Sequence, residues 1–346
     1  MDTPKDITRI FEPYTPLVDE GIKRVLGTCP HLDMYDMMRY FLGFTDAHGR
    51  AVRAYAGKRF RPGLCLLLAE AYGVQDQALG VAASIELFHN FTLMHDDIED
   101  HDELRRGRAT VWKVWGVNHA INAGDAQLIL AHRALGQAVT GKGAIGAELQ
   151  QFLTGTYLQV IEGQFLDFRL ADARLEEVSE EAYYEMIRRK SAVLVGAAAK
   201  SAGMLGGCTP EEQELLWQYG VALGMAYQIY DDIVSIWGSE AASGKMPYKD
   251  IVEKKKTLPL IYVWRAGSSE VRADLARAYA AEFSVGARDA VKIIDHLDAA
   301  HAYEYVWGKV KECAEQAKKA ASGLTLPDKT KGLLTAIVDA LLVPVR

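Results

Sequence analysis

Apolar residues recur along this chain at the three- to four-residue spacing of helices, and alternating strand patterns are nearly absent. The pattern predicts helices over residues 7–26, interrupted by Pro13 and Pro16 and ended at Cys29-Pro30, then over 33–44, 50–72, 77–103 and 111–135. After the turn Gly141-Lys142-Gly143 another runs over 147–170. Ser179 is placed to cap a helix reaching Leu205, and Thr209-Pro210-Glu211-Glu212 reads as a capping box with proline at the first helical position, opening a helix over 211–237. Beyond Thr257 further helices are separated near Gly267, Gly286 and Gly323. There is no short repeat, low-complexity tract or linker, so the expectation is an all-α bundle forming a single domain over residues 1–346.

The most uniformly apolar stretch, residues 78–94, reads as a buried helix and runs straight into Asp96-Asp97-Ile98-Glu99-Asp100-His101-Asp102. If the helix continues, Asp96 and Asp100 share a face, with Asp97 turned about 100° away. Acids at a helix C-terminus face the negative end of the macrodipole, at a cost of roughly 0.3–1 kcal/mol each. Stability alone would not select them; a bound cation would. The helix over 211–237 also ends in paired acids, Asp231-Asp232. Two such ends facing each other would make an acidic mouth over an apolar interior. Hard oxygen ligands of this kind suit Mg²⁺, which takes one or two carboxylates and completes its shell with waters and phosphate oxygens. The implied ligand is a diphosphate.

Basic clusters lie beside both acid pairs: Lys58-Arg59-Phe60-Arg61 before Pro62, Arg105-Arg106 behind the first acids, Lys190 after Arg188-Arg189, and Lys245, Lys249 and Lys254-Lys255-Lys256 after the second. Arginine offers forked donors to phosphate oxygens and lysine a point charge. Glu86-Leu87-Phe88-His89 has the Glu-x-x-His spacing of di-iron bundles, but no second such pair exists in the chain. No glycine-rich phosphate loop of either the P-loop or the dinucleotide type follows a strand, which leaves ATPase and NAD chemistry unsupported. Among 346 residues, 49% hydrophobic and 25% charged, the net charge of −7 argues against nucleic acid or an anionic membrane surface as partner. No apolar run of about 18 residues suggests a membrane span, and the polar N-terminus lacks a signal-peptide pattern, so the cytoplasm is expected. The four cysteines lack metal or redox spacing and are expected to be reduced.

In order and spacing these motifs resemble the trans-isoprenyl diphosphate synthases, or polyprenyl synthetases, over nearly the whole chain. Gly57-Lys58-Arg59-Phe60-Arg61-Pro62 is similar to the family's isopentenyl diphosphate motif, and Asp96-Asp97-Ile98-Glu99-Asp100 to its first aspartate-rich motif. Arg105-Arg106, Gly163-Gln164 with Asp167, Lys190-Ser191, Gln228 with Asp231-Asp232, Gly244-Lys245, Asp250 and Lys255-Lys256-Thr257 match the later landmarks. The resemblance implies an all-α fold around a deep cavity, a homodimer, and three Mg²⁺ ions per site held by Asp96, Asp100 and Asp231. It implies catalysis by Asp96, Asp97, Asp100, Arg105, Lys190, Asp231 and Asp232. Substrate contacts fall to Lys58, Arg61, His89, Arg105, Arg106, Lys190, Ser191, Gln228, Lys245 and Lys255. The implied reaction joins isopentenyl diphosphate to an allylic diphosphate. Product length, expected at C15–C20, is assigned to Phe91, with Phe88 and Thr92 beside it. The polar segment over residues 239–256 is expected to close as a lid. Ser235 departs from the pattern, standing where the second motif usually has its last aspartate, and is expected to weaken the site somewhat. Two rivals remain: a terpene cyclase, against which Lys58, Arg61 and His89 argue, and a silent subunit, against which the intact acids argue.

Overall fold

The long apolar stretch before the first acids is the central helix of the computed structural model, which describes residues 9–52, 54, 57–238, 248–280 and 284–345. In chain order the helices are α1 (Thr15–Gly27), α2 (Asp33–Phe41), α3 (Phe60–Ala71), α4 (Gln75–Glu99), α5 (Val111–Trp115), α6 (Val117–Val139), α7 (Gly143–Asp172), α8 (Glu180–Ile187) and α9 (Val193–Leu205). They continue with α10 (Pro210–Trp237), α11 (Lys249–Val252), α12 (Leu258–Ala266), α13 (Ser269–Tyr279), α14 (Ala287–Ala299), α15 (Ala302–Ser322) and α16 (Asp328–Asp339). Ala82, Ile85, Leu87 and Phe88 of α4 are wholly buried on different faces, as a helix apolar all round requires. α4 packs against α6 and α3, and α10 against α9 and α15. A smaller apolar cluster, built from α11 to α14 with Leu175 and Ile236, stands beside the ends of α7 and α10. No described helix is long and apolar enough to cross a membrane, and all four cysteines are free thiols.

The helical expectation holds for every long segment, with four local corrections. The helix expected from residue 50 begins only at Phe60, because Gly57 and Arg59 take positive φ angles of 94° and 46° that a right-handed helix cannot include. The segment over 111–135 is split at Gly116, whose φ is 89°. Behind α4 a small antiparallel ribbon pairs Leu104-Arg105 (β1) with Arg108-Ala109 (β2), too short to leave any alternation in sequence. Finally, the helix expected from Ser179 to Leu205 contains a π turn at Arg188–Ala192, separating α8 from α9. Ser179 caps α8 by accepting from the Ala182 amide at 3.1 Å. Thr209 accepts from the Glu212 amide at 3.3 Å, but Glu212 does not complete the box. Its carboxylate instead accepts from the Tyr72 hydroxyl and the Thr325 amide.

The π turn is gripped by glycines. A methyl placed on Gly163 of α7 would lie 2.2 Å from the Lys190 amide nitrogen, and one on Gly224 of α10 would lie 2.6 Å from the Ala192 Cα. Both helices therefore touch the turn backbone to backbone, which only glycine permits. Gly163→Ala should lower stability by at least about 1–3 kcal/mol, the usual cost of overpacking. Gly155→Ala, on the same helix with no atom within 4 Å, should be neutral or slightly stabilising. Urea midpoints of the two variants compared with wild type check this; equal midpoints would contradict the packing argument.

Candidate active site

A cavity of about 490 Å³ lies between α4, α7, the π turn and α10. Asp96 and Glu99 line it from α4, Gln164 from α7, Lys190 and Ser191 from the π turn, and Gln228 and Asp231 from α10. A smaller hollow of about 150 Å³ shares Lys190, Ser191, Gln228 and Asp231 and adds Asp167, Asp232, Asp250 and Lys255. Of the two aspartate pairs expected to face each other, Asp96 and Asp231 share the main cavity and Asp232 lines the adjoining hollow, whereas Asp97 lines neither.

On the α4 side Asp96 accepts from the Gln164 amide at 2.9 Å and lies 3.5 Å from Lys190 and 3.9 Å from Arg105. Gln164 also donates to Glu99 at 2.9 Å, bridging two turns of acids. Asp97 points into the protein, is 1% exposed, and is paired with Arg105. Burial pushes its carboxyl up to about 6 despite that arginine, with Asp102 and Asp96 adding to the shift. Asp100, the residue that closes α4, is exposed and lines neither hollow; desolvation by the surrounding protein and then repulsion from Asp96 still push its carboxyl up to about 6.

On the α10 side Asp232 is 5% exposed and accepts from the Tyr183 hydroxyl at 2.6 Å and the Gln228 amide at 3.1 Å. Burial, then the neighbouring Asp250, drives its carboxyl upward. Asp231, one residue earlier, turns to the cavity instead. Ser235, one turn further on, is buried, and its hydroxyl has no hydrogen-bond partner among the described residues. An aspartate in that place would enter a closed space.

The basic residues divide. Lys190 sits between the two sides, 2.5 Å from Asp167, and although burial opposes its charge, Asp167 and Asp96 hold its pKa above the ordinary lysine value. Lys255 is raised likewise, burial being outweighed by Asp250 and Asp100. Ser191 donates to Gln228 at 2.8 Å, fixing that amide against α10. Deeper in the cavity Arg61 donates to His89 Nε2 at 3.1 Å; burial and then Arg61 press the imidazole well below its usual pKa, so it is neutral. Arg106 reaches towards this region, donating to Asn90 at 3.5 Å, and the Lys58 ammonium lies 6.0 Å from the Tyr227 ring. Arg59 is turned away from the cavity. It is 3% exposed and pairs with Glu86 at 2.6 Å and Asp19 at 3.0 Å, which also engages the glutamate of the Glu-x-x-His spacing. Lys245 lies outside the described residues.

Phe91 and Thr92 line the lower cavity wall. Phe88 does not reach it: it is fully buried one turn below, its ring 5.7 Å from that of Phe91. Sequence reasoning missed Tyr183, which orients Asp232, and the apolar wall of α7, Val160, Ile161, Phe165 and Phe168. The wall could have been found by stepping three and four residues along the helix from Gln164.

The donor set fits Mg²⁺. Asp96 and Asp231 present hard oxygens to one cavity, and Asp100 carries a repulsion that a cation would relieve. Among the described residues no three acidic, histidine or cysteine side chains close on a point by themselves. Ligands from solvent or substrate would therefore complete the shell.

The fold and site have relatives. The polyprenyl synthetase family model matches residues 47–294. A geranylgeranyl pyrophosphate synthase of Geoglobus acetivorans is 34% identical over 314 residues, covering 90% of this chain and 92% of that one. A (2E,6E)-farnesyl diphosphate synthase of Mycobacterium tuberculosis is 38% identical over 244 residues, 70% of this chain; the match spans 66% of that relative's length. Among solved structures, a polyprenyl synthetase from Streptomyces coelicolor A3(2) superposes with a TM-score of 0.87 at 30% identity, covering 97% of this chain and 100% of that one. The chain belongs to the polyprenyl synthetase family.

Proposed function

We propose that the protein is a prenyltransferase that joins an allylic diphosphate to isopentenyl diphosphate and yields a farnesyl- to geranylgeranyl-length product (C15–C20), in keeping with its relatives. The observation that carries this reading is one cavity with Asp96 and Asp231 at its mouth, the Arg61–His89 pair inside and an apolar wall beneath. A terpene cyclase has no use for a second diphosphate subsite, so the paired Arg61 and His89 favour condensation.

Asp96 and Asp100 on one helix and Asp231 on the other would hold Mg²⁺, three ions per site, which when bound would supply Lewis-acid neutralisation of the leaving diphosphate. Lys190 and Lys255 add fixed positive charge where that diphosphate departs, with Gln228 and Ser191 orienting its oxygens. Arg105 and Asp97 act as a buried strut that holds the end of α4 in register. Asp232, tied to Tyr183, does the same for α10. Lys58, Arg61, neutral His89 and Arg106 hold isopentenyl diphosphate with its double bond towards the allylic carbon. Phe91, Leu194 and Val160 keep water from the developing cation, which would otherwise be captured as alcohol. Lys245, which with residues 239–247 of the expected lid lies outside the described residues, is a further candidate contact to the diphosphates. The departing diphosphate accepts the last proton. The chain works as one catalytic unit, as a homodimer, in the cytoplasm. The dimer reading is supported by large apolar side chains left exposed on α6 and α7 away from the cavity: Ile129 and Leu158 are 65% and 57% exposed.

The direct test is incubation of purified protein with Mg²⁺, isopentenyl diphosphate and allylic primers of each length. Chain extension is expected; hydrocarbon from the primer alone would indicate a cyclase, and no turnover a silent subunit. Asp96→Ala should lower the rate by on the order of 10²-fold or more, as loss of a group that stabilises transition-state charge does. A near-normal rate would overturn the mechanism.

Asp97 and Asp100 have folded pKa values of about 6, above their ordinary 3.8. Between these values the folded chain binds more protons than the unfolded one, so these groups make the metal-free protein less stable as pH rises through the window. Mg²⁺ competes with those protons. The rise in Tm on adding Mg²⁺ should therefore be largest above pH 7 and shrink towards pH 5; an increment independent of pH would count against Asp100 as a ligand. Separately, Ile129→Asp should shift the protein from dimer to monomer in sedimentation equilibrium. An unchanged mass would move the interface elsewhere.

A further inference from the structure

Behind the Arg61–His89 pair runs a chain of buried polar side chains, Arg59, Glu86 and Asn90, that lines neither hollow. Arg59 reaches inward to Asp19 at 3.0 Å and to Glu86 Oε1 at 2.6 Å. The same Glu86 oxygen accepts at 2.7 Å from the side-chain amide of Asn90, one turn further along α4 and 0% exposed. That amide also donates to the Glu86 backbone carbonyl at 2.8 Å. Both partners are acceptors, so the amide nitrogen must face them and the amide oxygen must face the other way. There it accepts from Arg106 at 3.5 Å.

Arg106 is delivered to that oxygen by unusual backbone. Arg105 pairs with Arg108 across the two-residue turn Arg106-Gly107, whose φ angles are 54° and 74°. Two-residue turns of this hand favour Asn-Gly or Asp-Gly, and an arginine gains nothing locally from the left-handed region. The turn instead throws the Arg106 side chain back onto Gly57, where an added methyl would lie 3.1 Å from Nη2 and 3.2 Å from Cζ. The guanidinium is thus held between the backbone of the Gly57–Arg61 motif and the Asn90 oxygen. Its charge falls on the same pocket: after burial and Arg61, Arg106 is the next group that presses His89 towards its neutral form. A guanidinium recognises phosphate through a fixed fork of donors, so its usefulness depends on its direction as well as its charge.

We propose that Asn90 is a positioning residue of the isopentenyl subsite: anchored by Glu86, its amide oxygen aims the Arg106 guanidinium at the isopentenyl diphosphate without itself touching the substrate. The inference rests on the prenyltransferase reading. One turn of α4 then carries both kinds of residue, His89 in the subsite and Asn90 behind it.

Steady-state kinetics with each substrate varied in turn tests it. Asn90→Leu, which keeps the buried volume and removes the amide, should raise KM for isopentenyl diphosphate by about tenfold or more, the usual effect of losing a hydrogen bond to a charged group. KM for the allylic diphosphate, and kcat at saturation, should change little, because only binding of the second substrate is lost. In an Arg106→Ala background the same substitution should leave KM for isopentenyl diphosphate unchanged, since Asn90 acts through that guanidinium. If Asn90→Leu loses its helical circular dichroism, Asn90→Ala takes its place with the same expectations. An unchanged KM for isopentenyl diphosphate, equal losses on both substrates, or a full effect in the Arg106→Ala background would overturn the proposal and leave the prenyltransferase reading standing. Absence of any chain extension by wild type would overturn that reading and the proposal with it.

Discussion

The structure depends on crowding carboxylates where they repel. Asp96, Asp97 and Asp100 stand at the end of one helix, Asp231 and Asp232 near the end of another with Asp250 close by, and Asp96 and Asp231 meet at one mouth. At an effective dielectric constant near 20, two unit charges 4 Å apart repel by about 4 kcal/mol. Cations from separate parts of the chain offset this. The β1–β2 ribbon delivers Arg105 to Asp97, the π turn delivers Lys190 between Asp96 and Asp167, and the segment after α11 delivers Lys255 towards Asp250 and Asp100. These cations do not fully compensate, since Asp97 and Asp100 remain raised to about 6. The remaining negative field is what a metal and its diphosphate would satisfy.

The π turn shows how backbone geometry serves that charge arrangement. One residue more than an α-helix turn would hold rotates Lys190 and Ser191 out of the α8 register and into the cavity wall. Gly163 and Gly224 let α7 and α10 close on it from two sides. Gly163 is followed by Gln164 and Asp167, so the close approach that glycine permits also sets the amide on Asp96 and the carboxylate on Lys190. Packing and electrostatics here have the same cause.

Long helices with acids near their ends were readable from the chain because a run of apolar residues over several turns has no other stable solution, and one acid of each pair, Asp96 and Asp231, lines the same cavity. Features that depend on a single φ or on depth were not readable. Arg59 looks like its basic neighbours in sequence, yet a left-handed φ of 46° turns it inward to Glu86. Gly116 breaks what periodicity presents as one helix, and no pattern marks Lys190 as part of a π turn. Helical spacing places Phe88 on the same side as Phe91, but spacing cannot tell which of them meets the cavity and which lies beneath its floor. Tyr183 was silent for a similar reason: it acts through a hydrogen bond to Asp232, far away in sequence.

The central claim is that the ends of α4 and α10 form a single metal-diphosphate site. Crystals grown with Mn²⁺ and an unreactive allylic thiodiphosphate, measured for anomalous scattering at the manganese edge, test it most directly. The account predicts metal peaks bonded to Asp96 and Asp100 on one side and to Asp231 on the other, with the diphosphate bridging them beside Lys190. Metal or diphosphate bound away from one of these helix ends would contradict it.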